Sequence, residues 1–133
     1  MILKLFLTLN ILTTYQPFIS QESPTSSSKP EIESIYTDYP KEGIWVQIPK
    51  GTKEITFYVE AKNTETILFW LIPTGTQTWT ERKLIGYDIR ENQTDNNFSL
   101  TWNIDKPHLY DHLSIQAIGE EMVEQDTINL YME

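Results

Sequence analysis

The sequence predicts an all-β protein: a two-sheet β-sandwich of about seven strands with Greek-key connections. Apolar and polar residues alternate over short stretches, as in Ile55-Thr56-Phe57-Tyr58-Val59 and Phe98-Ser99-Leu100-Thr101-Trp102. That is the period of a strand with one buried face. Turn chemistry rich in Pro, Gly, Asn and Asp separates these stretches at intervals of about 10 to 15 residues. No stretch carries the apolar period of a long helix. A small closed barrel is the alternative that the same pattern allows.

Residues 1–20 place Lys4 ahead of an apolar run, Leu5 to Leu12, interrupted by Asn10. This reads as a signal-peptide-like segment, too short for a membrane span of about 20 apolar residues. No small-x-small cleavage motif follows, and Ser20 is the nearby small residue. An N-terminal amphipathic segment is the other reading. Residues 21–30 (Gln-Glu-Ser-Pro-Thr-Ser-Ser-Ser-Lys-Pro) lack apolar side chains and read as a disordered Ser/Pro-rich linker. The sandwich domain is expected over residues 31–133.

Within it, Ile32, Ser34 and Tyr36 alternate in a first strand, and Ile44–Ile48 forms a second short one, with halves of one edge strand as the other reading of the pair. Ile55, Phe57, Val59 and Ala61 share one face of the next strand. Ile67–Ile72 is apolar on both faces and is expected in a sheet centre, with Trp70 in the core. Residues 73–81 read as a polar loop or weak hairpin. Ile85, Tyr87 and Ile89 share a face, as do Phe98, Leu100, Trp102 and Ile104. Residues 105–111 are expected as a turn, followed by strands over Leu113–Ala117 and Thr127–Met132.

Composition narrows the function. Net charge is −9, and residues 31–133 alone hold 8 basic and 18 acidic groups. Nucleic acid is therefore not an expected partner, because phosphate binding needs clustered Lys and Arg. The absence of cysteine removes disulfides, thiol catalysis and Cys-based zinc sites.

Lys83–Gly119 carries a resemblance. Leu84-Ile85-Gly86-Tyr87-Asp88, Phe98-Ser99-Leu100-Thr101-Trp102 and Leu113-Ser114-Ile115-Gln116-Ala117-Ile118-Gly119 resemble three strands of the bacterial immunoglobulin-like (Ig-like) domains of surface and cell-envelope proteins. Leu113 stands where that family usually has an aromatic residue or histidine. Gly119 replaces its second alanine, and the Asp-x-x-Gly-Asn that often follows is missing. The resemblance covers about a third of the domain. It implies an Ig-like sandwich and an envelope setting, and it implies no catalytic residues.

Candidate binding residues are Trp79 and Trp45, with Thr74 and Gln77 in the 73–81 loop. Trp79 has polar neighbours and Trp45 lies opposite Ile44, Val46 and Ile48, so both are expected at the surface, where aromatics anchor partners. Trp79 covering a neighbouring sheet is the plainer reading. Asp88, Asn92, Asp95, Asn96, Asp105 and Asp111 supply oxygen atoms suited to calcium at one sandwich end, but without EF-hand spacing they read first as turn formers. His108 and His112 lack a third ligand, so no metal site is assigned. Asn92-Gln93-Thr94 and Asn97-Phe98-Ser99 match the glycan-acceptor pattern. No nucleophile elbow or paired catalytic carboxylates are evident.

The expectation is a non-catalytic exported module for protein binding, adhesion or spacing at the bacterial cell envelope. It would have no cofactor, a protein or envelope component as partner, and no transmembrane anchor once the leader is removed. The alternative is a soluble inhibitor or glycan/peptide-binding protein acting through residues 73–81. A fragment of a secreted enzyme ranks third.

Overall fold

The computed structural model describes residues 29–75 and 79–133. Residues 1–28, which hold the signal-peptide-like segment and nearly all of the expected linker, and Thr76, Gln77 and Thr78 lie outside the described residues. In chain order the strands are β1 (Glu31–Thr37), β2 (Lys41–Glu42), β3 (Trp45–Ile48), β4 (Glu54–Lys62), β5 (Thr66–Pro73), β6 (Lys83–Ile89), β7 (Asn97–Asn103), β8 (Leu109–Ile118) and β9 (Val123–Met132). A single 3-10 turn, Trp79–Glu81, lies between β5 and β6.

The strands form two sheets, one ordered β1-β4-β7 and the other β2-β3-β9-β8-β5-β6. This is an all-β, two-sheet architecture of the sandwich kind. Pairing is antiparallel except between β3 and β9. The described residues hold nine strands where about seven were expected. Part of the difference is β2, a two-residue strand in a stretch that reads as turn. The chain changes sheet between β1 and β3, so these are two strands and not halves of one edge.

Alternation sets the interior. On β4, Ile55, Phe57, Val59 and Ala61 are buried, and on β5 Ile67, Phe69 and Leu71. Phe57 stacks on Phe69 at 6.1 Å between ring centroids and on Trp102 at 6.4 Å, which joins the two sheets. Leu113, Ile115 and Ala117 of β8, and Ile128, Leu130 and Met132 of β9, complete this core.

Four expectations need correction. β8 begins at Leu109 and β9 at Val123, each four residues before the expected start, so Tyr110, Asp111 and His112 are strand residues. A register shift between Ile32 and Ser34 brings Ile32 and Ile35 against the core and leaves Tyr36 exposed. A second shift, between Phe69 and Trp70, sets Gly86 opposite Phe69 and Leu84 opposite Trp70. Ile85 then packs toward the core while Tyr87 and Ile89 face out. Trp70 is also outside the core: it stands on the opposite face from Phe69 and is half-buried.

The edges of the three-stranded sheet are tied to the larger sheet by carboxylates. Asp88 of β6 accepts a hydrogen bond from the Ser99 backbone N–H on β7 at 2.9 Å. Glu124 of β9 accepts one from the Ile32 N–H on β1, also at 2.9 Å. Such groups occupy edge donors that would otherwise invite another strand. Between β6 and β7, Gly86 admits Leu100, whose Cδ1 would lie 2.6 Å from a Cβ built on the glycine. Lys83 and Asp105 pair at 3.1 Å where these strands begin and end. The Lys83 hydrogen bond is the main cause holding the Asp105 carboxyl below its ordinary value.

At the other end, Gly119 packs where a Cβ would lie 2.7 Å from the Asn63 carbonyl oxygen and 2.8 Å from Pro30 Cγ. Asn63 itself turns through φ 55°, a conformation that asparagine tolerates.

Two measurements check this packing. Leu100 can rotate aside, whereas the Asn63 backbone cannot. Gly119→Ala is therefore expected to cost about 1–3 kcal/mol in urea unfolding, and Gly86→Ala clearly less. By NMR titration, Asp105 should ionise below the ordinary aspartate range and move up toward it in Lys83→Ala. Because the folded-state value is lowered, this pair's small contribution is present above the unfolded-state value and fades as pH falls through the folded one.

Candidate functional site

Because cross-strand partners share a face, the register defines what the six-stranded sheet shows to solvent. β3 contributes Trp45 and Gln47, which pair with Asn129 and Tyr131 of β9. Gln125 and Thr127 continue the β9 row opposite Gln116 and Ser114 of β8, and Tyr110 and His112 extend the β8 row. β5 adds Leu68, Trp70 and Ile72, and β6 adds Leu84, Tyr87 and Ile89. From β3 to β6, no residue on this face is Asp, Glu, Lys or Arg, in a chain of net charge −9. The outer face of the other sheet, by contrast, carries Glu60 and a Lys62–Glu33 ion pair at 3.2 Å.

The uncharged face is aromatic and pre-ordered. Trp45 stacks on Tyr110 at 4.8 Å with an interplanar angle of 10°, and Tyr131 meets Tyr110 edge-on at 6.3 Å. Trp70 Nε1 donates to Gln116 Oε1 at 2.8 Å, and the Arg82 guanidinium lies 4.3 Å from the Trp70 ring centroid. Tyr87, Ile89 and Tyr110 remain 59%, 57% and 56% exposed. Charge reaches this face from outside its strand rows, with Arg82 over Trp70 and Glu42 of β2 opposite Trp45.

One polar network fixes a tautomer. Asn129 Nδ2 donates to the Ile44 carbonyl at 3.0 Å, so its Oδ1 is left to accept. His112 Nδ1, 2.6 Å from that Oδ1, therefore carries the proton, and Nε2 of the neutral ring is an acceptor.

The sequence-proposed residues separate. Trp45 belongs to this face but is half-buried by its stack on Tyr110, not freely exposed. Thr74 is half-buried: its N–H donates to the Tyr110 carbonyl at 3.0 Å, and its hydroxyl is buried without a partner among the described residues. Trp79 opens the 3-10 turn, its side chain lies outside the description, and Gln77 is outside the described residues altogether.

The six oxygen-bearing residues do not meet at one end. Asp88, Asn92, Asp95 and Asn96 lie toward the β6–β7 turn, whereas Asp105 and Asp111 lie toward the opposite end, where Lys83 begins β6. They are also engaged locally. Asn92 accepts from Thr94, Asp95 accepts from the Asn97 N–H, and Asp111 pairs with Lys106 at 2.7 Å. Asn92 and Asn97, the two acceptor-pattern asparagines, are exposed at this β6–β7 connection. His108 and His112 are separated by four residues of near-extended chain, about 13 Å, which is too far to share a metal.

The sequence reasoning missed Tyr87, Tyr110, Tyr131 and His112. One signal pointed to them: no acidic residue shares their alternating positions on β6, β8 and β9, in an acidic chain.

No protein-family model and no curated protein matches this chain. Among solved structures, it is similar to a chain from the structure described as the structural basis of T cell specificity and activation by the bacterial superantigen toxic shock syndrome toxin-1. The TM-score is 0.46 and identity 11%, over 75% of this chain and 98% of that one. It is also similar to an engineered protein, with TM-score 0.48 and 10% identity, over 85% of this chain and 22% of that one.

Asn129→Ala removes the tie between β9 and the Ile44 carbonyl. It is expected to cost about 1 kcal/mol and to speed amide exchange at the start of β3. In the wild type, nitrogen-15 spectra of neutral His112 should show the Nδ1-protonated tautomer, and an Nε2-protonated ring would contradict the network.

Proposed function

We propose that this chain is a non-catalytic, Ig-like binding module exported to the bacterial cell envelope, and that it binds protein through the outer face of the six-stranded sheet. The Ig-like assignment is supported by the connectivity. Consecutive strands β4 and β5 lie in different sheets, β7 returns beside β4, β8 lies beside β5, and β3 runs parallel to the last strand. The resemblance of Lys83–Gly119 and the leader-like segment support the envelope setting.

The observation that carries the binding role is the uncharged aromatic face. Protein interfaces are depleted in Asp, Glu and Lys at their centres and enriched in aromatics and Arg. Trp, Tyr and Arg dominate their energetic anchors. This face presents Trp45, Trp70, Tyr87, Tyr110 and Tyr131, with Arg82 over the Trp70 ring. It is the open outer face of a sheet, which suits a protein surface better than a small ligand, whose sites are concave.

The test is site-specific photo-crosslinking in cells that display the protein. A crosslinker at position 87 is expected to yield a protein adduct, and one at position 36, on the other sheet, to yield none. Adducts from position 79 but not 87 would return the function to the 73–81 loop. No adduct from 87 or 79 would remove the binding role. Export has its own check: envelope protein should lack the leader-like segment, and an intact Met1 on cytosolic protein would overturn it.

A further inference from the structure

We infer that the occupant of this face is a second copy of the same chain, an inference that rests on the face being a binding surface. An isologous interface must be complementary to itself. A patch dominated by one sign of charge cannot meet this condition, since like charges would be juxtaposed. At net charge −9, most surfaces of this molecule repel a second copy. The strand residues of this face from β3 to β6 include no carboxylate, Lys or Arg, and the Arg82 guanidinium reaches over the Trp70 ring from outside the strands.

Its polar groups suit self-pairing. Gln47, Gln125, Asn129 and Thr127 each hold donors and acceptors. Apart from the Arg82 guanidinium over Trp70, the strand residues of this face offer a partner chosen by charge nothing to read. At physiological salt, repulsion between carboxylates outside the face is screened within about 8 Å.

The area is sufficient. The five strands β3, β9, β8, β5 and β6 average about eight residues. At about 4.8 Å spacing and 3.3 Å rise they span roughly 600 Å² in projection. Accessible area exceeds projected area, which brings the face near the ~800 Å² per partner of a standard interface. Apolar contact would come from Leu84, Tyr87, Ile89 and Tyr110, all exposed in the single chain.

The experiment is sedimentation equilibrium of the purified full chain from about 1 to about 100 μM. Wild type should show a concentration-dependent dimer. Tyr87→Glu on β6 and Thr127→Glu on β9 put a carboxylate on exposed positions of the face, and each should weaken association about tenfold or more. Tyr36→Glu makes the same charge change on the opposite sheet and should leave association unchanged. Far-UV circular dichroism confirms that each variant is folded. A wild-type chain that stays monomeric throughout would overturn the inference, as would a dimer that survives both face substitutions. Monomeric purified protein that nevertheless gives a position-87 adduct in cells would sink the second copy alone and leave the binding role standing.

Discussion

The contact of Phe57 with Phe69 and Trp102 across the two sheets is the constraint from which the surface follows. A strand has a period of two, so turning Ile67, Phe69 and Leu71 inward obliges Leu68, Trp70 and Ile72 to face out. The same rule on β8 buries Leu109, Leu113, Ile115 and Ala117 and lifts Tyr110, His112 and Gln116 to the other side. The aromatic character of the outer face and the packing of the core are thus two sides of one register. A slip of one residue on β5 would exchange them.

The acidic composition acquires a structural meaning. Asp88 and Glu124 hold the two edges of the small sheet, Asp38 accepts from the Thr56 N–H, and Asp111 is buried against Lys106. Carboxylates therefore work at edges, turns and strand ends, where backbone donors need partners. They are excluded from one broad surface. In an acidic molecule that exclusion distinguishes the face more sharply than hydrophobicity does, since scattered exposed apolar residues are ordinary.

Much of the strand layout was legible because alternation and turn chemistry agree. Ile55 to Ala61 and Phe98 to Trp102 have one apolar face each, so their orientation could be read directly. β5 could not be read this way. Its two faces are equally apolar, and only the position of Phe57 in the opposing sheet decides that Phe69 goes in and Trp70 out. The bulges at β1 and β6 were hidden for a related reason. Ile32 and Ile35 are three apart, a spacing that suits a common face only when a residue is inserted. Pro107 suggested a turn through residue 111, although β8 starts two residues after it and carries Tyr110 and His112 into the face. The candidate site in the sequence was therefore a loop, because lone exposed aromatics are conspicuous. A face assembled from five strands is visible only once their register is known.

Three tyrosines provide an internal standard for the claim that this face is covered in the working protein. Tyr36, Tyr87 and Tyr110 are 55%, 59% and 56% exposed in the single chain, the first on one sheet and the others on the opposite one. Hydroxyl-radical footprinting of the protein in its native setting should therefore oxidise Tyr36 readily and protect Tyr87 and Tyr110 together. Equal oxidation of all three would show that the face is open to water, and would contradict the account.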